Sequence, residues 1–422
     1  MRNAAEDTVD CRFFAPVEQA FSRARSRRSC PEFPDHEFLH AGISRVLHAV
    51  RSGRDLVQQL RMWMNRSLTV CNFFQSLKSK RRLTLVREVD EDVCGQLDEA
   101  VTSAEDPLAA HPELDGFAVY ASDGHFEKPS SHCEPIEDKK RAAGNFYSIN
   151  LRSHSLRLLD IARPTVKQEH DMHALKRLGY KALRMGEPTG TKVIHVYDPA
   201  GIDYEAWMKW KAKGIYMLSR EKENSAAMVV GINAWDHEDS RNNGVLSDEL
   251  VGSASGVLLR RVRFQDLCTG IVYSFLTNEM TLPPGLIAFL YKLRWDVEKV
   301  FDEKKSKLEE GKAWAKTDVA RTQQAHFTCL AHNLMVLFEL CLLRQENIRD
   351  EKAYAKREKR AAKQIEELAR QQINAELLPM SCDRITVRSL QFIRWLRHVL
   401  FNQTPWEQAM RSLRPLMSEY LS

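Results

Sequence analysis

Tyr291, Arg294, Glu298 and Lys305 stand at spacings that bring one carboxylate, one phenol and two cations to the same side of a helix. At about 100° per residue the four fall within about 60° of one another. The adjoining arc of roughly 100° holds Leu293, Val297, Val300, Phe301 and Leu308, the stripe by which an amphipathic helix meets its core. Glu298 is therefore predicted at a core edge. A carboxylate held there between two basic groups suits a hard metal ion bound to a phosphate, since the metal takes oxygen ligands and the cations hold the anion. The same pattern also describes a surface helix with solvated charges.

Two further acids close apolar runs. Asp123 ends Phe117-Ala-Val-Tyr-Ala-Ser, and Asp198 ends Val193-Ile-His-Val-Tyr, so both are expected at strand ends. Gly124 and Pro199 follow them, which also suits turns. Asp115 and Asp203 are less apt, one before its strand and the other past its turn. Asp302 shares the Glu298 face one helical turn later.

The spacing Y(2)R(3)E(6)K from Tyr291 to Lys305 resembles the signature of bacterial insertion-sequence transposases of the DDE class, the IS-four type. The flank LTNEMTLPPGLIAFLYKLRW resembles that family's strand ending in Thr-Asn, its loop and its signature helix. AHFTCLAHNLMVLF resembles the core helix that follows, and the likeness runs over residues ~115 to 340. It implies Asp123, Asp198 and Glu298 as catalytic residues and ligands of Mg²⁺, with Mn²⁺ able to substitute. Two metal ions ~4 Å apart need such a carboxylate set about a scissile phosphate. The resemblance also carries over Tyr291, Arg294 and Lys305 as phosphate-positioning groups, and Arg220 in MLSREKEN as an arginine facing DNA. Trp295 is open to stacking on an extruded base or to packing; His125 is open to lining the site or helping a turn.

Composition narrows the classes. Of 422 residues, 43% are hydrophobic and 28% charged, with a formal net charge of +5, which predicts ordered domains and by itself no particular partner. Nine Lys or Arg against two acids between Arg51 and Glu88 give a local +7, the footprint expected of a polyanion contact. Arg81 and Arg82 are the candidate DNA-binding cations there. Nine scattered cysteines without a CxxC pair argue against zinc ribbons and a disulfide framework. The first thirty residues lack the apolar run of a signal peptide, and Leu334 to Leu343 is too short to span a bilayer, so a cytoplasmic, membrane-free protein is expected.

The expected fold is α/β: a ribonuclease-H-like core over 106–345 with a β-rich insertion at 221–284, flanked by a helical DNA-binding domain at 1–105 and a helical region at 346–422. Helical spacing through Phe38, Ile43, Val46 and Val50 is predicted to stop at Gly53. Helices from Arg54 to Met64 and after Ser67 resemble a helix-turn-helix, with a plain helical bundle as the other reading. Strands at Phe117–Asp123, Phe146–Leu151 and Ser155–Leu159, a helix near His170–Arg184, a strand at Val193–Asp198, a helix at Tyr204–Lys213 and a strand at Ile215–Leu218 give the core order. The insertion is read as strands at Ala226–Ile232, Gly256–Val262 and Gly270–Leu276, with Trp235 to Ser255 a long loop. The charge-rich segment after Asn347 reads as a solvated helix or linker, with DNA contact as the minor alternative. The resemblance implies a transposase that binds terminal inverted repeats, cuts, and joins 3′-hydroxyl ends to target DNA as a homodimer in a synaptic complex. A DNA-binding protein of that descent without cutting, and a nuclease that hydrolyses without joining, are the alternatives.

Overall fold

The computed structural model describes residues 7–418, apart from 51, 65–68, 131–142, 164–168, 224, 226, 254–255, 309–310 and 372–387. The chain opens with helices α1 (Val9–Arg23), α2 (Asp35–Leu47), α3 (Gly53–Met64), α4 (Val70–Leu77) and α5 (Lys80–Ala100). Hydroxyls start three of them: Thr8 accepts from the Cys11 amide, Thr69 from Asn72 and Ser79 from Arg82. The expected cap at Ser67 lies outside the described residues. Gly53 begins α3 instead of stopping α2; a Cβ there would stand 2.3 Å from the Phe74 ring.

Arg81 and Arg82 are corrected by this region. Arg82 is 5% exposed, donates to the Phe33 carbonyl and the Ser76 hydroxyl, and its guanidinium lies 4.7 Å from the Phe38 ring centre. Arg81 forks onto Asp35 at 2.6 and 2.7 Å. Asp35, itself buried, sits 46 residues earlier in the chain, so the charge count alone could not reveal that these cations were taken. Truncating Arg82 to Met is expected to cost about 2 kcal/mol, because the Phe33 carbonyl and the Ser76 hydroxyl lose their donor, while Arg81 still holds Asp35. The salt dependence of DNA binding should not change with it. A shallower salt slope at unaltered denaturation midpoint would restore Arg82 as a DNA contact.

The sheet follows: β1 (Phe117–Glu127), β2 (Ala143–Asn150), β3 (Leu156–Ile161), then helix α6 (Asp171–Leu183), β4 (Lys192–Tyr197), α7 (Tyr204–Lys211) and β5 (Ile215–Arg220). β1, β2 and β3 pair antiparallel, while β1–β4 and β4–β5 are parallel. β1 outruns its predicted end by four residues, because its hairpin with β2 continues to Glu127 opposite Ala143. Alternation sets the two faces. Ile194 and Val196 join one apolar cluster, and Tyr197 joins the cluster on the other side with Trp207 and Trp210 of α7.

The stretch expected as an insertion continues this sheet. β6 (Met228–Ile232), β7 (Val245–Gly252), β8 (Leu258–Gln265) and β9 (Val272–Thr277) give the order β3-β2-β1-β4-β5-β9-β8-β7-β6. β9 pairs antiparallel with β5, so nine strands form one surface. β7 lies inside the stretch predicted as a loop. Its Asp248 is 1% exposed and meets Arg260 of β8 at 2.6 Å, so an acid that reads as loop polarity is a core ion pair.

Helices α8 (Pro284–Leu293) and α9 (Trp295–Ser306) cross the face of the sheet, followed by α10 (Asp318–Glu346), α11 (Glu351–Arg370), α12 (Leu390–Phe401) and α13 (Trp406–Met417). Gly285 is fixed by close approach, since a Cβ would lie 1.7 Å from the Arg241 carbonyl oxygen, and its amide donates to Asn242 at 2.9 Å. That contact docks the start of α8 on the turn before β7. α10 is long and apolar enough to cross a membrane by composition, yet 78% of its most apolar window is buried in the protein. One apolar cluster joins α1 to α5 with α10, α12 and α13, so the N- and C-terminal helices form a single body and not two flanking regions.

Candidate active site

Ala121 of β1 pairs with Val196 of β4, and Asp123 and Asp198 each follow two residues later. Two residues restore the face in a strand, so both carboxylates leave the sheet side by side on the face that α8 and α9 cover. Asp198 accepts from the Ala200 amide at 2.8 Å, which starts the short 3₁₀ turn Pro199–Gly201. Asp123 accepts from the Gly124 amide at 2.8 Å. Turn and site readings of the two acids therefore coexist.

The signature segment delivers the other groups. α8 and α9 meet at Arg294, whose helical φ/ψ of −54° and −30° carries the axis through with one tightened turn. Arg294 is 6% exposed and bridges the acids, donating to Glu298 at 2.6 Å with Nη1 at 3.9 Å from Asp123. Its guanidinium lies 5.5 Å from the Tyr291 ring centre and 5.7 Å from that of Trp295. Nε and Nη1 of Arg294 are buried without a hydrogen-bond partner among the described residues. Unpaired buried donors cost stability, so a site keeping two of them beside carboxylates is shaped for an oxygen-rich ligand.

These groups line a cavity of about 620 Å³ with Arg220, Arg241, Lys292 and Trp295. Aromatic rings of Phe264, Tyr273 and Phe275 line it as well, the Phe275 ring centre lying 4.9 Å from that of Tyr291. Trp295 is 56% exposed, which removes core packing as its role. Arg220 ends β5 and is exposed at the cavity, whereas Lys305 is exposed further along α9 and outside its lining. His125 is buried against Phe301, ring centres 4.8 Å apart, so it packs under the site. Asp203 caps α7 and pairs with Lys176, Asp115 is exposed ahead of β1, and Asp302 is exposed away from the cavity.

The carboxylates crowd one another. Burial and then the neighbouring Asp198 push the Asp123 carboxyl up to about 6. Asp171, which the sequence reading missed, is pushed up to about 7 by burial and then by Asp198 and Asp123. It opens α6 with an oxygen 2.9 Å from where a Gly124 Cβ would stand. An acid in the first turn of a helix ordinarily answers the helix dipole, so its type and position gave no signal. A divalent cation would relieve this repulsion, which is the respect in which the residues fit one. Among the described residues, however, no three His, Cys, Asp or Glu side chains are gathered to hold one ion as they stand.

Asp171 yields a pH prediction. Its folded value near 7 exceeds the ordinary 3.8, so the charged form costs stability above pH 7, and that cost fades as the folded state takes up its proton between 7 and 3.8. Asp171→Asn is expected to raise Tm by a few degrees at about pH 8 without divalent metal, and to leave it unchanged near pH 4. An equal gain at both pH values would show that charge is not the cause.

Residues 148–334 match the family model for the transposase DDE domain. The match supports a DDE transposase. It includes Asp198 and the whole signature from Tyr291 to Lys305, and begins after Asp123. No curated protein matches the chain. A cryo-EM structure of a piggyBac transposase synaptic complex with hairpin DNA is 13% identical, covering 96% of this chain and 78% of that one with a TM-score of 0.36. That likeness is too loose to bear on the site.

Proposed function

We propose that the protein is a DNA transposase that binds the terminal inverted repeats of its element, cuts the ends and joins the 3′-hydroxyls to target DNA. The observation that carries this reading is Arg294, which bridges Asp123 and Glu298 with Nε and Nη1 free of hydrogen bonds, in a cavity that Asp198 also lines and whose residues from Asp198 to Glu298 fall within the DDE domain match. The antiparallel β3-β2-β1 set followed by parallel β4 and β5 supports a ribonuclease-H-like core.

Asp123, Asp198 and Glu298 would hold Mg²⁺ or Mn²⁺, which when bound lowers the pKa of a coordinated hydroxyl and stabilises the leaving oxygen. The chain's own groups do the rest. Arg294 and Arg220 neutralise and orient phosphate oxygens, the guanidinium fork being suited to two at once. Trp295 offers an exposed ring beside them on which a base can stack. As in the sequence reading, we place the protein in the cytoplasm, working as a homodimer on paired ends.

A second reading, DNA binding without cutting, draws on the ungathered carboxylates and on the hold of Arg294 over Glu298. Incubation with Mg²⁺ and DNA carrying the repeats that flank the gene separates the two. End-specific cleavage with joined products supports transposition; cleavage without joining indicates a nuclease; binding alone favours the second reading.

A further inference from the structure

α11 is the one long helix whose role the site leaves unexplained. Between Tyr354 and Leu368, its two buried residues, every position from 358 to 367 is exposed. The two anchors are ~21 Å apart along the axis. Between them the helix spans open surface and brings Gln364 to the lining of the acid cavity.

Lys356, Lys359, Arg360 and Lys363 stand at i, i+3, i+4 and i+7, all exposed, with no ion-pair partner among the described residues. Like charges at these spacings repel and destabilise a helix. The following turn of α11 shows the ordinary alternative, Arg370 paired with Glu366 at 2.8 Å. A face that only needed solvation would be served by such mixed pairs. A bound polyanion turns the repulsion into attraction. Arg360 lies one turn before Gln364 on nearly the same line, so the basic stripe leads to the cavity mouth. Its length of ~10 Å matches about three nucleotides of a stacked strand.

We propose, resting on the transposase reading, that α11 is a DNA-backbone clamp in which Lys356, Lys359, Arg360 and Lys363 hold the phosphates of the strand entering the cavity of Asp123 and Asp198. The full-length chain and its K356Q/K359Q/R360Q/K363Q variant are titrated by fluorescence anisotropy against a repeat-bearing duplex at several salt concentrations. Losing four phosphate contacts should lower the slope of log K against log salt by about three to four and weaken binding at low salt. Gln preserves helix propensity and the four positions are exposed, so Tm should not change. Arg411→Gln on α13, 82% exposed, serves as the control and should keep the wild-type slope. An unchanged slope in the fourfold variant, when the wild type binds and cuts, would overturn the clamp alone. A wild type that does not bind DNA would overturn both the clamp and the transposase reading.

Discussion

Replacing Glu298 by Gln is expected to abolish end cleavage while leaving DNA binding within about twofold of wild type. The amide keeps the side chain's shape and its carbonyl can still accept from Arg294, which now bonds Glu298 at 2.6 Å, but the charge needed by a metal is gone. We expect a fall in single-turnover cleavage of at least ~10³-fold, equivalent to ~4 kcal/mol in the barrier. Asp123→Asn and Asp198→Asn should behave alike, since the two acids leave neighbouring strands in register. Parallel loss of binding and cleavage in Glu298→Gln would instead assign the residue to holding Arg294 in place. Persistence of cleavage in any of the three variants would remove that residue from the site.

The second large effect concerns the far half of the sheet. Arg260 is 3% exposed and binds Asp248 through Nη2 at 2.6 Å and Nε at 2.9 Å, donates Nη1 to the Leu282 carbonyl at 2.7 Å and lies 3.6 Å from Glu279. Glu279 in turn accepts from the Thr281 and Leu282 amides, shaping the loop that leads into α8. Arg260→Met should therefore cost about 3–5 kcal/mol, because two carboxylates remain buried without their cation. Adding Asp248→Leu should recover part of the loss. A denaturation midpoint within experimental error of wild type for the single variant would show that water reaches these carboxylates. Since the same network sets the entry to α8, cleavage should fall with stability here, in contrast to Glu298→Gln.

The site was legible where local spacing carries it. That Tyr291, Arg294 and Glu298 line one cavity was readable from their helical spacing, while the roles proposed for them came from the family resemblance. Asp123 and Asp198 followed because each ends an apolar run, although β1 passes Asp123 by four residues. What stayed hidden depends on partners distant in sequence. Asp35 claims Arg81 and Arg82 across more than forty residues, taking two of the nine cations out of the apparent DNA patch. Asp248 and Arg260 cancel within the sheet, so β7 looked like a polar loop. Asp171 looked like an ordinary helix-starting acid until the sheet placed it beside Asp123. The continuous nine-stranded sheet was missed for a related reason: strand periodicity identifies strands, but not the edge onto which β9 pairs.

The shared helical body has a consequence for the newborn chain. The Val9 amide donates to the Thr404 carbonyl, the Trp406 amide donates to the Asp7 carbonyl, and the Arg12 guanidinium lies 4.0 Å from the Trp406 ring centre. α1 thus waits for partners about 395 residues behind it. At about 5–20 residues per second, the ribosome takes ~20–80 s to supply them. For that interval Phe13, Phe14 and Val17 have no finished core to enter, so the first helix must remain unsealed until translation is almost over.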